Sequence, residues 1–251
     1  MFARLLIAVD FSASSDAALE YARLCARAFG AHLDVLHVMP NVFLRPVVGD
    51  PRALEEAMRA RLHDRFTSEE HRMLHVTTAV VRSDDPAEEI LRYARRHRID
   101  LIAIGTRARS RVGRVAKKVV RSARCPVLAV HSGPPRYGAG FQRILVPSIF
   151  STPPEQVLEC ARLVGRRFGA SVQWLSVPVD TVRSIVRQAA DDRIDLIVMG
   201  TYGRHGLAHP VASRVAEKVI RGASCPVMTV HLAHAKGLDR PSRTEAMRAT
   251  A

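Results

Sequence analysis

Aromatic residues are scarce, at 5% of the 251-residue chain, and cysteine occurs four times. Cys25, Cys125, Cys160 and Cys225 are far apart and form no C-x-x-C pair. That spacing gives no disulfide framework and no thioredoxin-type motif, and it reads as buried free thiols in a reducing cytoplasm. No apolar run approaches the ~20 residues that a membrane span needs. The opening MFARLLIAVDFS lacks a small-residue cleavage site and runs into Asp10, so it reads as a first strand and not a signal peptide. No basic stripe is interleaved with stacking aromatics, which argues against nucleic acid as a partner. There is no G-x4-G-K-[S/T] phosphate loop and no G-x-S-x-G elbow. His205, His209, His231 and His234 do not share metal-ligand spacing with carboxylates, so no protein-ligated metal is expected.

What the chain does have is charge and repetition. The formal net charge is +14, which suits either a phosphate-bearing ligand or a well-solvated arginine-rich surface. Between Gly105 and Arg124 stand Arg107, Arg109, Arg111, Arg114, Lys117, Lys118, Arg121 and Arg124, with no acidic residue. The segment IDLIAIG, a basic loop, VAKKVVR and CPVLAVH over 99–131 returns as IDLIVMG, a longer loop, VAEKVIR and CPVMTVH over 194–231. Each copy reads as buried strand, glycine turn, helix and buried strand, so the chain divides into two similar α/β halves.

In the first half, strands are expected over 4–9, 32–38, 75–81, 100–104 and 127–130. The expected helices run from 16 to 29, from Asp50-Pro51 through Leu54, Met58, Leu62 and Phe66, from Asp84-Asp85-Pro86, and from Gly113 to about Ala123. Ser12, Ser14 or Ser15 can cap the first helix, and Gly30 stops it. Right-handed crossovers make this a doubly wound parallel sheet, with a ligand crevice beyond the strand C-termini. If strands one and four are neighbours, Asp10 and Gly105 face that crevice.

Residues 132–140 (SGPPRYGAG) read as a linker between a complete domain, 1–131, and a shortened one, 141–231, with a loose tail over 232–251. RILVPSIFS repeats RLLIAVDFS at an offset of 139, but the IDLI block repeats at 95, so 44 residues have no second copy. These are the second helix and third strand. Their loss exposes a new sheet edge, which hints at a homo-oligomer.

The pairing of the two copies, RLLIAVDFS, DDPAEEILRYARRHRIDLIAIGT and MGTYGRHGLAHPVASRVAEKVIRGASCPVMTV together resemble the universal stress protein family in its tandem form. The resemblance implies flavodoxin-like sheets of strand order 3-2-1-4-5, two tandem repeats packed as a pseudo-dimer, and a stress-linked sensor or interaction protein. Some members bind ATP through an aspartate after strand one, a valine on strand two and G-x2-G-x9-G-[S/T] after strand four. The match is partial in both halves. The first has Ala8, Val9, Asp10, Val38, Ile104, Gly105, Arg107, Gly113, Arg114 and Val115, with Ala108 in place of the second glycine. The second has Val177, Met199, Gly200, Gly203, Ser213, Arg214 and Val215, but Ile149 replaces the aspartate. Arg114 and Arg214 stand where the family has a small hydroxyl, and there they could pair with a phosphate or fill its space. Three readings stay open. One is an adenine nucleotide, ATP or similar, in the first half, with an unidentified protein partner. The second is a ligand-free interaction module. The third is a slow ATPase, against which the missing phosphate-loop lysine and the want of a general base both count.

Overall fold

β1 (Arg4–Ala8) is apolar at Leu5, Leu6 and Ile7, all fully buried, because it lies at the centre of its half with a parallel neighbour on each side. In this computed structural model the described residues are 2–41, 51–106, 113–131, 140–148, 153–176, 181–202 and 210–232. The chain continues through α1 (Ala13–Phe29), β2 (His32–Met39), α2 (Pro51–His63), α3 (Ser68–Met73), β3 (Thr77–Arg82), α4 (Pro86–Arg96), β4 (Leu101–Gly105), α5 (Arg114–Ser122) and β5 (Val127–Val130). The second half adds β6 (Arg143–Ser148), α6 (Glu155–Phe168), β7 (Ser171–Ser176), α7 (Thr181–Asp191), β8 (Leu196–Tyr202), α8 (Pro210–Gly222) and β9 (Val227–Leu232).

The two halves do not keep separate sheets. The nine strands form one sheet of order β3-β2-β1-β4-β5-β9-β8-β6-β7. Pairing is parallel within each half. The halves join by one antiparallel pairing of β5 with β9, in which Leu128 stands opposite Met228. The expected order 3-2-1-4-5 is present in the first half. The join of the two repeats into one sheet follows from geometry, since two outermost strands related by a twofold present complementary N–H and C=O rows and pair. One core layer lies under α1, α2 and α6, and the other under α4, α5, α7 and α8. Glu217 on α8 bridges Lys117 (2.9 Å) and Arg121 (3.1 Å) on α5, so the helices also join the halves.

Several boundaries differ from expectation for local reasons. α1 begins at Ala13 because Ser12 is its N-cap, with its Oγ accepting from the Ser15 N–H at 3.3 Å. The helix expected from 51 to 66 stops early, and a second, unexpected helix follows it. α2 ends at His63, and Thr67 starts α3 with a capping box to Glu70. Phe66 lies in the turn between them yet still reaches the core. β3 starts at Thr77, not at 75, because His75 has φ of 44° and the chain is still leaving α3. Asp85 caps α4 through the Glu88 N–H at 3.1 Å, while Asp84 turns away to bind the Asn41 N–H and side chain, each at 2.9 Å. Gly30 and Gly169 end α1 and α6 in the left-handed region, with φ of 63° and 68°, at equivalent places in the repeat. The expected linker, except Gly140, and the expected tail beyond Leu232 lie outside the described residues.

The aspartate of each IDLI block fastens strand to strand. Asp100 accepts the N–H groups of Ala3 (2.8 Å) and Arg4 (3.0 Å), and Asp195 accepts those of Gln142 (2.8 Å) and Arg143 (3.1 Å). Burial pushes the Asp195 carboxyl up, and the two backbone donors only partly offset it.

Candidate functional site

β1 lies between β2 and β4, so the ends of three parallel strands meet at one edge of the sheet. Ala8 pairs with both Leu36 and Ile104. This brings Ala8, Val9, Asp10, Val38, Ile104 and Gly105 to the C-terminal ends of neighbouring parallel strands, where the first-half crevice is expected. Gly113 is the N-cap of α5, whose first turn holds Arg114 and Val115. Gly113 offers no side-chain cap, so the first N–H groups of α5 gain none from it, and Arg114 is exposed. Arg107 and Ala108 lie outside the described residues.

Asp10 is exposed at the crevice and tied to the start of α1. Its Oδ1 accepts the Ser12 N–H at 3.0 Å and the Ser12 hydroxyl at 2.5 Å, and Ser12 Oγ lies 3.0 Å from Ser14 Oγ. Partial burial pushes the Asp10 carboxyl up, but the hydrogen bonds from Ser12 and Ser15 outweigh it and hold the group below the usual carboxylate range. Asp10 therefore stays ionised, an acceptor able to take a base amino group.

Gly105 has a requirement that its motif position hides. A Cβ there would stand 2.5 Å from the Ser14 carbonyl carbon and 2.6 Å from the Ser15 nitrogen, both backbone atoms. The first turn of α1 rests on this glycine whether or not a phosphate does.

Sequence reasoning missed three further groups at this edge. Phe11 adopts φ of 60°, rare for an aromatic residue, with its ring 4.9 Å from His37 and the Arg61 guanidinium 4.0 Å above it. His37 Nδ1 lies 2.7 Å from the Val9 carbonyl oxygen. Thr106, fully buried, donates to the Val130 carbonyl at 3.1 Å and lies 2.9 Å from His131 Nδ1. The only signal for that last pair is that Gly-Thr and Val-His recur at Thr201 and His231, where the Thr201 hydroxyl again reaches the Val230 carbonyl.

The second-half crevice is described only in part. Met199 is buried, Gly200 pairs with Val230, Arg214 is exposed and Val215 is buried. A Cβ on Gly200 would meet the Leu232 side chain at 2.8 Å, not backbone. Val177, Gly203 and Ile149, and the side chain of Ser213, lie outside the described residues. A cavity of ≈ 320 Å³ opens at the other edge of the sheet, between α4 and α5, lined by Leu91, Ile99, Ile102, Arg124 and Cys125 among others. None of the candidate nucleotide-site residues lines it. Burial raises the thiols of Cys25 and Cys160 to about 12 and that of Cys125 to about 11, which leaves them poor nucleophiles. Among the described residues no helix is long and apolar enough to cross a membrane, and no group of three His, Cys, Asp or Glu could hold a metal ion.

A parallel α/β repeat with an acidic residue after β1 and a glycine turn after β4 defines a class, and comparison with known proteins agrees. The model of the universal stress protein family matches residues 1–131 and 155–231, and the chain belongs to that family. It is 35% identical over 139 residues to a Thermus aquaticus universal stress protein encoded in the QAH/OAS sulfhydrylase 3′ region, a match covering 99% of that protein and 52% of this chain. It is 30% identical over 86 residues to a Methanocaldococcus jannaschii universal stress protein, covering 51% of that protein and 34% of this chain. The crystal structure of an Archaeoglobus fulgidus universal stress protein superimposes with a TM-score of 0.70 over 91% of this chain and 98% of that one. At 18% identity, that likeness speaks for the fold alone.

Proposed function

We propose that this universal stress protein works in the cytoplasm as a sensor without robust catalysis. It binds an adenine nucleotide, ATP or a close relative, in the first-half crevice and alters its contacts with a protein partner when the site fills. The observation that supports this most is the ionised Asp10 at the end of β1, beside the strand β4 that leads to the N-terminus of α5. The carboxylate suits the base amino group. The N–H groups and positive end of α5, with Arg107 and Arg114, suit the phosphates. The second-half crevice lacks the carboxylate and is the weaker candidate, although Gly200 and Gly203 retain more of the loop pattern, with Ser213 and Arg214 in place of its final glycine and hydroxyl.

Calorimetric titration of ATP into the wild type and an Asp10→Asn variant tests this. Saturable binding near one per chain is expected, weakened about 10- to 100-fold in the variant, the range of a charge-assisted hydrogen bond. No heat and no thermal shift at millimolar ATP favours the ligand-free interaction module. The Gly105 packing supports that rival, since α1 demands this glycine with or without a ligand.

A further inference from the structure

β7 is the second-half counterpart of β2, and its surroundings differ sharply from those of β2. By the offset of 139, Trp174 stands where the first half has Val35. Val35 is fully buried, in the core layer that also holds Leu62, Phe66 and Leu74 from the α2–α3 segment. Trp174 is 56% exposed, the second half having no copy of that segment. In the first half the Leu33 N–H is taken by the Leu74 carbonyl at 3.0 Å, and β3 pairs along β2 from Asp34 to Met39. Among the described residues, no strand pairs with the outer edge of β7.

We infer that two copies of this chain associate edge to edge through β7, antiparallel about a twofold axis that sets Trp174 opposite the partner's Trp174. The backbone fixes this register. The Ser171 N–H bonds inward to Gln142 at 2.9 Å, so the N–H and C=O groups of Val172, Trp174 and Ser176 point outward. In an antiparallel pair centred on Trp174, Val172 faces the partner's Ser176. Each facing pair then exchanges both its N–H···O bonds. Residues directly opposite share a face of the sheet, so the two indoles lie side by side and bury one another.

The occupant is a second copy because the edge complements itself. Ser171 to Ser176 (SVQWLS) carries no charge and no proline, the usual guards of an exposed edge. The opposite edge, β3, is guarded. It ends in Arg82, whose guanidinium pairs with Glu55 of α2 at 3.0 Å. A twofold pairing closes at two copies, whereas β7 on β3 of another copy would propagate into open chains. The chain already uses this device internally, where β5 and β9 pair antiparallel at the join between the halves. The net charge of +14 opposes self-association, so added salt is expected to strengthen it.

Trp174 is the chain's single tryptophan, so its fluorescence reports on this edge alone. The test is light scattering and tryptophan emission of the full chain from about 1 to about 200 µM, at low and raised salt. The mass is expected to rise from 27.7 kDa to twice that and stop, with emission moving to shorter wavelength over the same range. Ser176→Pro removes an outward N–H and Trp174→Glu adds like charge. Both variants are expected to stay monomeric throughout with unchanged thermal melts. The inference is overturned by a wild-type mass that stays at one chain, by growth beyond two copies, or by a dimer whose emission does not move or that survives Ser176→Pro.

Discussion

Gly105→Ala probes the join between the site and the scaffold. Its added methyl would sit 2.5 Å from the Ser14 carbonyl carbon and 2.6 Å from both the Ser14 oxygen and the Ser15 nitrogen. None of these can rotate away, and the Ser12 cap and the Asp10 hydrogen bonds hold the same turn in place. Either α1 or β4 must shift, and overpacking of this kind costs about 1–3 kcal/mol, occasionally more. We place Gly105→Ala at about 3 kcal/mol on that scale because the obstruction is backbone. The repeat supplies its own control. At Gly200 the obstruction is the Leu232 side chain at 2.8 Å and the Val157 side chain at 3.3 Å, and Leu232 can change rotamer. Gly200→Ala is expected to cost about 1 kcal/mol or less. For a chain of this size the first substitution lowers the melting temperature by about 6–12 °C and the second by no more than about 4 °C. Urea unfolding followed by circular dichroism, with thermal melts alongside, separates the two. Equal losses at the two glycines would refute the backbone-contact argument and return Gly105 to the ligand.

Two other substitutions test the electrostatics. Asp34 is buried, with 1% of its side chain exposed, and takes a two-pronged ion pair from Arg4 at 2.9 and 3.2 Å. Arg4→Leu strands that carboxylate and is expected to destabilise by about 3–5 kcal/mol in urea titration, whereas Arg4→Leu with Asp34→Leu loses less than the sum of the single changes. The Asp10 carboxyl is held below its ordinary range, so its contribution to stability is fully present above the unfolded value of about 3.9 and fades as pH falls through the folded value. The stability gap between wild type and Asp10→Asn, measured by urea titration, is therefore expected to be constant from about pH 7 to about pH 5 and to close below about pH 4.

The strands were legible because parallel, doubly covered strands such as LLIA and LIAI are continuously apolar, and because the repeat showed most elements twice, while their order came from the family resemblance. A serine cap for α1 among Ser12, Ser14 and Ser15, and an aspartate cap for α4 in Asp84-Asp85-Pro86, were readable from residue type and position, and the structure selects Ser12 and Asp85. The capping box of Thr67 and Glu70 was equally present in the sequence, but the apolar spacing that continues to Phe66 masked the break before it. The antiparallel union of β5 and β9 had no local signal, since both strands are uniformly apolar whichever way they pair. The site was legible as a set of positions but not as a set of duties. Gly105 fits a phosphate loop and also a close approach of α1, and only the folded chain shows the second. Phe11 with its positive φ, and Arg61 brought over it from 50 residues away, leave no pattern that sequence spacing can reveal.

Amide hydrogen exchange of the wild-type chain with and without ATP tests the central claim most directly, because it reports both whether the nucleotide binds and which crevice takes it. The account predicts added protection across residues 10–15 and 113–117 and little change across 213–217. Protection centred on 213–217, or none anywhere at saturating ATP, would contradict it.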